Sequence, residues 1–92
     1  MFCGFGGNDI LISTLGAGDI FLGGAGDDYV YGPVYGAVNG GEGNDRVEYL
    51  RGGTFNGGVG DDSVFRQSGG TFNGGPGNDQ VTAPDGGTFN QD

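Results

Sequence analysis

Asp28, Asp45, Asp62 and Asp79 stand 17 residues apart, each at the sixth position of one recurring nonapeptide. The four copies read GGAGDDYVY (23–31), GGEGNDRVE (40–48), GGVGDDSVF (57–65) and GGPGNDQVT (74–82). If each repeat is one coil of a stack, these carboxylates form a column along one edge, a strand spacing apart. GFGGNDILI (4–12) adds Asp9 to the column, although Phe5 replaces its second glycine. Carboxylates at that spacing repel one another unless a cation lies between them. The glycines let the turn backbone curl, so that carbonyl oxygens can face the same place. The candidate carbonyls are those of Gly23, Gly24, Ala25 and Gly26 in the first copy and of Gly40, Gly41, Glu42 and Gly43 in the second. Gly57, Gly58, Val59 and Gly60, then Gly74, Gly75, Pro76 and Gly77, are their equivalents. Carboxylate plus carbonyl oxygen is a hard donor set of high coordination number, which selects calcium over zinc or copper. Five turns leave four gaps, so four Ca2+ ions are expected on one edge, nearly offsetting a net charge of −9.

The remaining polar residues have plainer readings. Asp19 lies in TLGAGDIFL (14–22), a weaker copy with no acid one coil later, and is a lesser metal candidate. Asp27, Asp61, Asn8, Asn44 and Asn78 precede the column residues, and neighbouring side chains diverge, so they read as turn formers. An enzyme is not expected. There is no His or Lys for base chemistry, and the paired acids Asp27–Asp28 and Asp61–Asp62 are sequence neighbours, not carboxylates facing across a cleft.

Composition narrows the field further. The 92 residues suit a single domain, and 25 of them are Gly, too many for an ordinary globule. With only 3 Pro and no three-residue period, collagen is excluded. Twelve acids against 3 arginines disfavour nucleic acid and anionic membranes as partners. One cysteine, Cys3, excludes an intramolecular disulfide, and the absence of His removes the usual zinc sites. No segment approaches the apolar length of a membrane span, and the start carries no N-terminal signal-peptide pattern.

The elements that must hold the column follow from the spacing. Between nonapeptides sit the octets GPVYGAVN (32–39), YLRGGTFN (49–56), RQSGGTFN (66–73) and APDGGTFN (83–90). Each half-repeat ends in a three-residue beat with an apolar centre: Val30, Val47, Val64 and Val81 in one set, Val38, Phe55, Phe72 and Phe89 in the other. Gly-rich turns bound each beat, and all three prolines are read as turn residues. One repeat is therefore strand, turn, strand, turn. The expectation is all-β: a parallel β-roll (β-solenoid) of about five coils, with two facing parallel sheets of short strands and a 17-residue repeat. Residues 1–92 form one such domain, with an irregular first coil (4–22) and regular repeats over 23–90. Leu11 and Phe21 centre the first coil, extra turn residues fall near 13–19, and ten strands form two sheets of five. Open solenoid ends imply a fragment of a longer stack or end-to-end self-association.

The nonapeptides resemble the hemolysin-type, RTX (repeats-in-toxin) calcium-binding repeat, G-G-x-G-x-D-x-U-x. The resemblance covers almost the whole chain. It implies a roll that is disordered without calcium and folds outside the cell, in a secreted protein exported by type I secretion, with a structural or secretion-assisting role. Two departures stand out. The octet lacks the acid, so calcium is expected on one edge only, and these 92 residues include no stretch that reads as a catalytic or toxin domain. Thr54, Asn56, Thr71, Asn73, Thr88 and Asn90 should form outward Thr and Asn ladders that stabilise a sheet. Such ranks also resemble the ice-binding face of some antifreeze β-solenoids, which makes surface binding to ice or glycan the alternative, with calcium as scaffold. Tyr29, Tyr31, Tyr35, Tyr49 and Phe65 could shield the roll from outside or take a sugar or partner.

Overall fold

The computed structural model describes residues 2–3, 7–8, 10–12 and 14–91. Its strands are β1 (Phe2–Cys3), β2 (Ile10–Leu11), β3 (Ile20–Leu22), β4 (Tyr29–Val34), β5 (Ala37–Asn39) and β6 (Arg46–Leu50). They continue with β7 (Thr54–Asn56), β8 (Ser63–Gln67), β9 (Thr71–Gly75), β10 (Gln80–Pro84) and β11 (Thr88–Gln91). Odd strands form one sheet in the order β1-β3-β5-β7-β9-β11, and even strands form the other, β10-β8-β6-β4-β2. Every pairing is parallel, so the chain winds alternately through two sheets as a β-solenoid of about five turns. The register carries the repeat: Val47 pairs with Val64 and Val64 with Val81, while Phe55 pairs with Phe72 and Phe72 with Phe89.

Four features differ from the sequence expectation. Phe2–Cys3 pairs with Phe21–Leu22, which makes one sheet six strands wide instead of five. Strands β4, β6, β8 and β10 are longer than three residues, because the variable start of each octet continues the strand, and in β4, β6 and β8 it turns a second side chain inward. Val34, Leu50 and Gln67 are thereby buried. Leu15 bridges to Val34 and is itself fully buried, so the segment near 13–19 contributes to the core and is not only added turn. Finally, Pro76 lies in a turn, but Pro33 sits in β4 where the register shifts, and Pro84 ends the edge strand β10. A bulge and a sheet edge are the places where a missing N–H costs a sheet least.

The core is one continuous cluster of apolar side chains between the sheets. Leu15, Phe21, Val30, Val34, Val38, Val47, Leu50, Phe55, Val64 and Phe72 are buried, and Leu11, Val81 and Phe89 pack against them half-exposed. Those last three lie on β2, β10 and β11, each at the end of its sheet with a neighbouring strand on one side only. Parallel in-register pairing stacks identical rings: Phe55 on Phe72 at 4.8 Å and Phe72 on Phe89 at 4.9 Å, with ring planes nearly parallel.

Gln67 is the polar exception. Where neighbouring coils place Val34 and Leu50, its Nε2 donates to Thr88 O at 2.8 Å and Gly70 O at 3.2 Å. It thus ties the last coil to the one before. Gln67→Leu keeps the apolar volume but leaves the Thr88 carbonyl without that donor. The expected cost is about 1–2 kcal/mol, with faster amide hydrogen exchange confined to β11 and the turn before it.

Candidate functional site: the aspartate column

The nonapeptide turn is closed by its own aspartate. The carboxylate folds back over the first glycine, so that a Cβ on Gly23, Gly40, Gly57 or Gly74 would lie 2.3 Å from Oδ2 of Asp28, Asp45, Asp62 or Asp79. The second and fourth glycines answer a different constraint. Gly41 and Gly43 have φ of 85° and 111°, and the same pattern recurs in each regular copy. Their added Cβ atoms would also meet the preceding coil: Gly24 O at 2.5 Å from Gly41, and Gly26 O at 2.3 Å from Gly43. Gly58 and Gly75 stand likewise over Gly41 O and Gly58 O, and Gly60 and Gly77 over Gly43 O and Gly60 O. The second- and fourth-position carbonyls therefore point along the stack, into the gaps between coils.

The four aspartates are buried, at 3 % (Asp28), 2 % (Asp45), 0 % (Asp62) and 5 % (Asp79) exposure. One oxygen of each of the last three belongs to a ladder. Asp28 N donates to Asp45 Oδ1 at 2.9 Å, Asp45 N to Asp62 Oδ1 at 2.9 Å, and Asp62 N to Asp79 Oδ1 at 2.8 Å. The other oxygen, Oδ2 of Asp45, Asp62 and Asp79, is shut off from solvent and accepts no hydrogen bond. Burial is the main cause that raises the Asp45 carboxyl from its ordinary 3.8 to about 8 and the Asp62 carboxyl to about 7, and neighbouring carboxylates add to it. Buried acceptors without partners are rare in folded proteins and are costly when charged.

The preceding residues diverge outward, as expected of turn formers, and build a second ladder of opposite sense. Asp27 N donates to Asn8 Oδ1, Asn44 N to Asp27 Oδ1, Asp61 N to Asn44 Oδ1 and Asn78 N to Asp61 Oδ1, all at 2.7–2.8 Å. The sequence offered the pairing of residue types but not this function. The signal was the strict choice of Asn or Asp, two side chains whose Oδ1 can cap a backbone N–H.

The oxygen sets sort by position. Among third-position residues, Val59 O and Pro76 O accept Gly43 N at 3.0 Å and Gly60 N at 3.1 Å, so these carbonyls already serve the stack; Ala25 and Glu42 hold the equivalent positions. Gly40 O lies beside the Asp28 carboxylate, each within 2.9 Å of the point a Gly23 Cβ would occupy. Among the described residues no three His, Cys, Asp or Glu side chains converge on one point. The column is a line, and an ion there would need backbone oxygens from the turns. The partnerless Oδ2 atoms and the all-oxygen surroundings fit a hard divalent cation and do not fit zinc. Asp9 lies outside the described residues. Asp19 is not in the column. Its Oδ2 accepts Gly16 N at 3.1 Å and caps its own turn.

The two outer faces differ in chemistry. On the odd sheet, Thr54, Thr71 and Thr88 fall in register, and an asparagine ladder runs beside them. Asn56 Nδ2 donates to Asn39 Oδ1 at 3.0 Å, Asn73 to Asn56 at 2.9 Å and Asn90 to Asn73 at 2.8 Å. Asn39 completes a ladder whose first rung was hidden because its octet, GPVYGAVN, lacks the TFN ending. The even sheet carries arginine and aromatic side chains outward. The Arg46 guanidinium lies 5.8 Å from the Tyr29 ring and 5.7 Å from Phe65, and Arg51 lies 5.8 Å from Tyr49. The Tyr29 hydroxyl donates to Glu48, and burial together with that carboxylate pushes its pKa up to about 12.

No family model matches the chain, and neither does any curated protein or solved structure compared with it.

Proposed function

We propose that this chain is a calcium-binding β-roll of the hemolysin-type (RTX) kind, whose folding is coupled to the ion. The observation that carries the reading is the column of buried, partnerless Oδ2 atoms on Asp45, Asp62 and Asp79. The residues that would hold the ions are Asp28, Asp45, Asp62 and Asp79, with the stack-facing carbonyls of the second and fourth glycines. Bound calcium would supply the positive charge that lets adjacent carboxylates stay ionised out of water. Because the ion binds only the folded chain, its binding energy becomes folding energy. A glycine-rich chain of net charge −9 that folds only where calcium is abundant suits a secreted protein, unfolded during export and locked outside.

The test is isothermal titration of calcium into chelator-stripped protein, beside Asp62→Asn. The substitution keeps an oxygen for the Asp45 N–H and removes one negative charge. Dissociation constants on the order of 10⁻⁴–10⁻³ M are expected, as for extracellular modules, with several ions per chain. Asp62→Asn should weaken binding by about tenfold at the central gaps, and the isotherm should lose steepness. Equal isotherms for the two proteins would sink the reading.

A second reading rests on the in-register rank of Thr54, Thr71 and Thr88 beside the Asn ladder. Such a regular flat face suits binding to an ordered surface, ice or glycan, with the ions as scaffold. Thermal hysteresis of the folded protein, lost in Thr71→Tyr, is the result that would favour it.

A further inference from the structure

The asparagine ladder runs through three Asn–Gly junctions: Asn39–Gly40, Asn56–Gly57 and Asn73–Gly74. We propose that these junctions are self-modification sites which the fold holds closed, so that the unfolded chain has a limited lifetime as a folding-competent one. The reaction is deamidation through a cyclic imide. The glycine backbone nitrogen gives up its proton to hydroxide and attacks the asparagine Cγ. A C–N bond forms, and Nδ2 leaves as ammonia after taking up a proton. Water then adds to one of the two imide carbonyls and opens the ring to aspartate or isoaspartate. Nothing is oxidised or reduced, and solvent water is the only co-reactant. Glycine permits the step because no side chain hinders its nitrogen and its backbone turns freely.

Each requirement is blocked in the roll. The attacking nitrogen must be free, but Gly40 N donates to Asn56 O and Gly57 N to Asn73 O, both at 2.8 Å. Gly40, Gly57 and Gly74 are buried from the base. The side-chain amide must swing toward the following nitrogen, but Asn56 is held at both ends, donating to Asn39 and accepting from Asn73. Asn73 is held in the same way between Asn56 and Asn90. Reaction therefore requires local opening, and its rate falls with the population of the open form.

The product would not restore the ladder. Aspartate at 56 has no donor for Asn39 Oδ1 and sets a carboxylate against it. Isoaspartate also adds a backbone carbon to β7, which disturbs its in-register pairing with β5 and β9 at that point. If the chain waits unfolded for calcium, as the preceding reading holds, that wait would be timed by this chemistry.

The experiment is peptide mapping by mass spectrometry of protein kept at mildly alkaline pH. One sample is folded, in whichever of calcium or chelator buffer gives the β-sheet circular dichroism signal, and one is in urea. In urea, Asn39, Asn56 and Asn73 should convert well ahead of Asn44, Asn78 and Asn90, which precede Asp or Gln. Gly57→Ala, examined only in urea, should slow conversion at Asn56 alone. In the folded sample, conversion at Asn56 and Asn73 should be at least about tenfold slower. Equal rates at Asn56 in the two samples, or no lead of the Asn–Gly sites in urea, would overturn the proposal. Both arms stand if folding proves independent of calcium, so failure of the ion reading would be seen separately.

Discussion

Stripped of calcium at pH 8, the chain should lose its β-sheet circular dichroism signal, and acid should bring much of it back. The sign follows from the column. The folded state raises the Asp45 carboxyl to about 8 and the Asp62 carboxyl to about 7, above the ordinary 3.8, mainly through burial. A carboxyl raised on folding binds its proton more tightly in the folded state. Its contribution is therefore complete below the unfolded value and is lost as pH climbs through the folded one. Without metal, stability should fall from about pH 4 to pH 8, the opposite of the usual carboxylate behaviour. With calcium the order reverses. If the column binds calcium as proposed, ionised carboxylates would hold the ion and protons would compete with it, so affinity should strengthen up to about pH 8. Denaturant titrations at pH 5 and pH 8, each with calcium and with chelator, measure all four corners. Stability that rises with pH in chelator would show that the buried oxygens carry no such load.

The column itself was legible from the sequence, because four copies at a fixed step leave little freedom in how they stack. The two sheets, their parallel order and the inward Val and Phe beats followed from the same step. What stayed hidden was local and three-dimensional. Val34, Leu50 and Gln67 share no residue type, so no periodic signal marked a second inward position in the even strands. Leu15 sits in the irregular coil, where the only cue to its burial is a bridge to Val34 across 19 residues of chain. The opposed senses of the two ladders were also invisible, because Asn and Asp announce that they will cap a backbone N–H without saying whose. The ion stands apart from these, since the sequence pattern and the partnerless oxygens support it by different arguments.

Gly53→Ala should unfold the roll, whereas Gly52→Ala, one residue away, should leave it intact. A Cβ on Gly53 would lie 1.7 Å from Gly36 O, the carbonyl that accepts Thr54 N at 2.9 Å. Relieving that overlap means pushing two coils apart or losing the bond that starts the β5–β7 pairing. Backbone on both sides leaves no flexible group to yield, and a cost of about 3 kcal/mol or more is expected. At Gly52 the nearest atom is Tyr35 Cδ1 at 3.7 Å, an ordinary contact. There the gain from a stiffer unfolded chain should decide, with a change between zero and about 1 kcal/mol of stabilisation. Thermal melts of both variants in calcium settle the matter. Similar melting temperatures would mean that the coils are spaced more loosely than described.

The rim of the solenoid is laced in both directions. At the buried rung each coil offers its N–H to the coil after it, as Asp45 does to Asp62, and at the exposed rung to the coil before it, as Asn44 does to Asp27. Every interior coil therefore carries the same two plugs and the same two sockets. Removing or duplicating one whole repeat would leave each remaining coil with complementary neighbours, and the first coil, two residues longer, still makes its exposed rung from Asp27 N to Asn8 Oδ1 because its extra residues lie outside the nonapeptide turn. A chain built this way can gain or lose whole repeats without remaking its rim, and any added residues are tolerated only away from the two rungs.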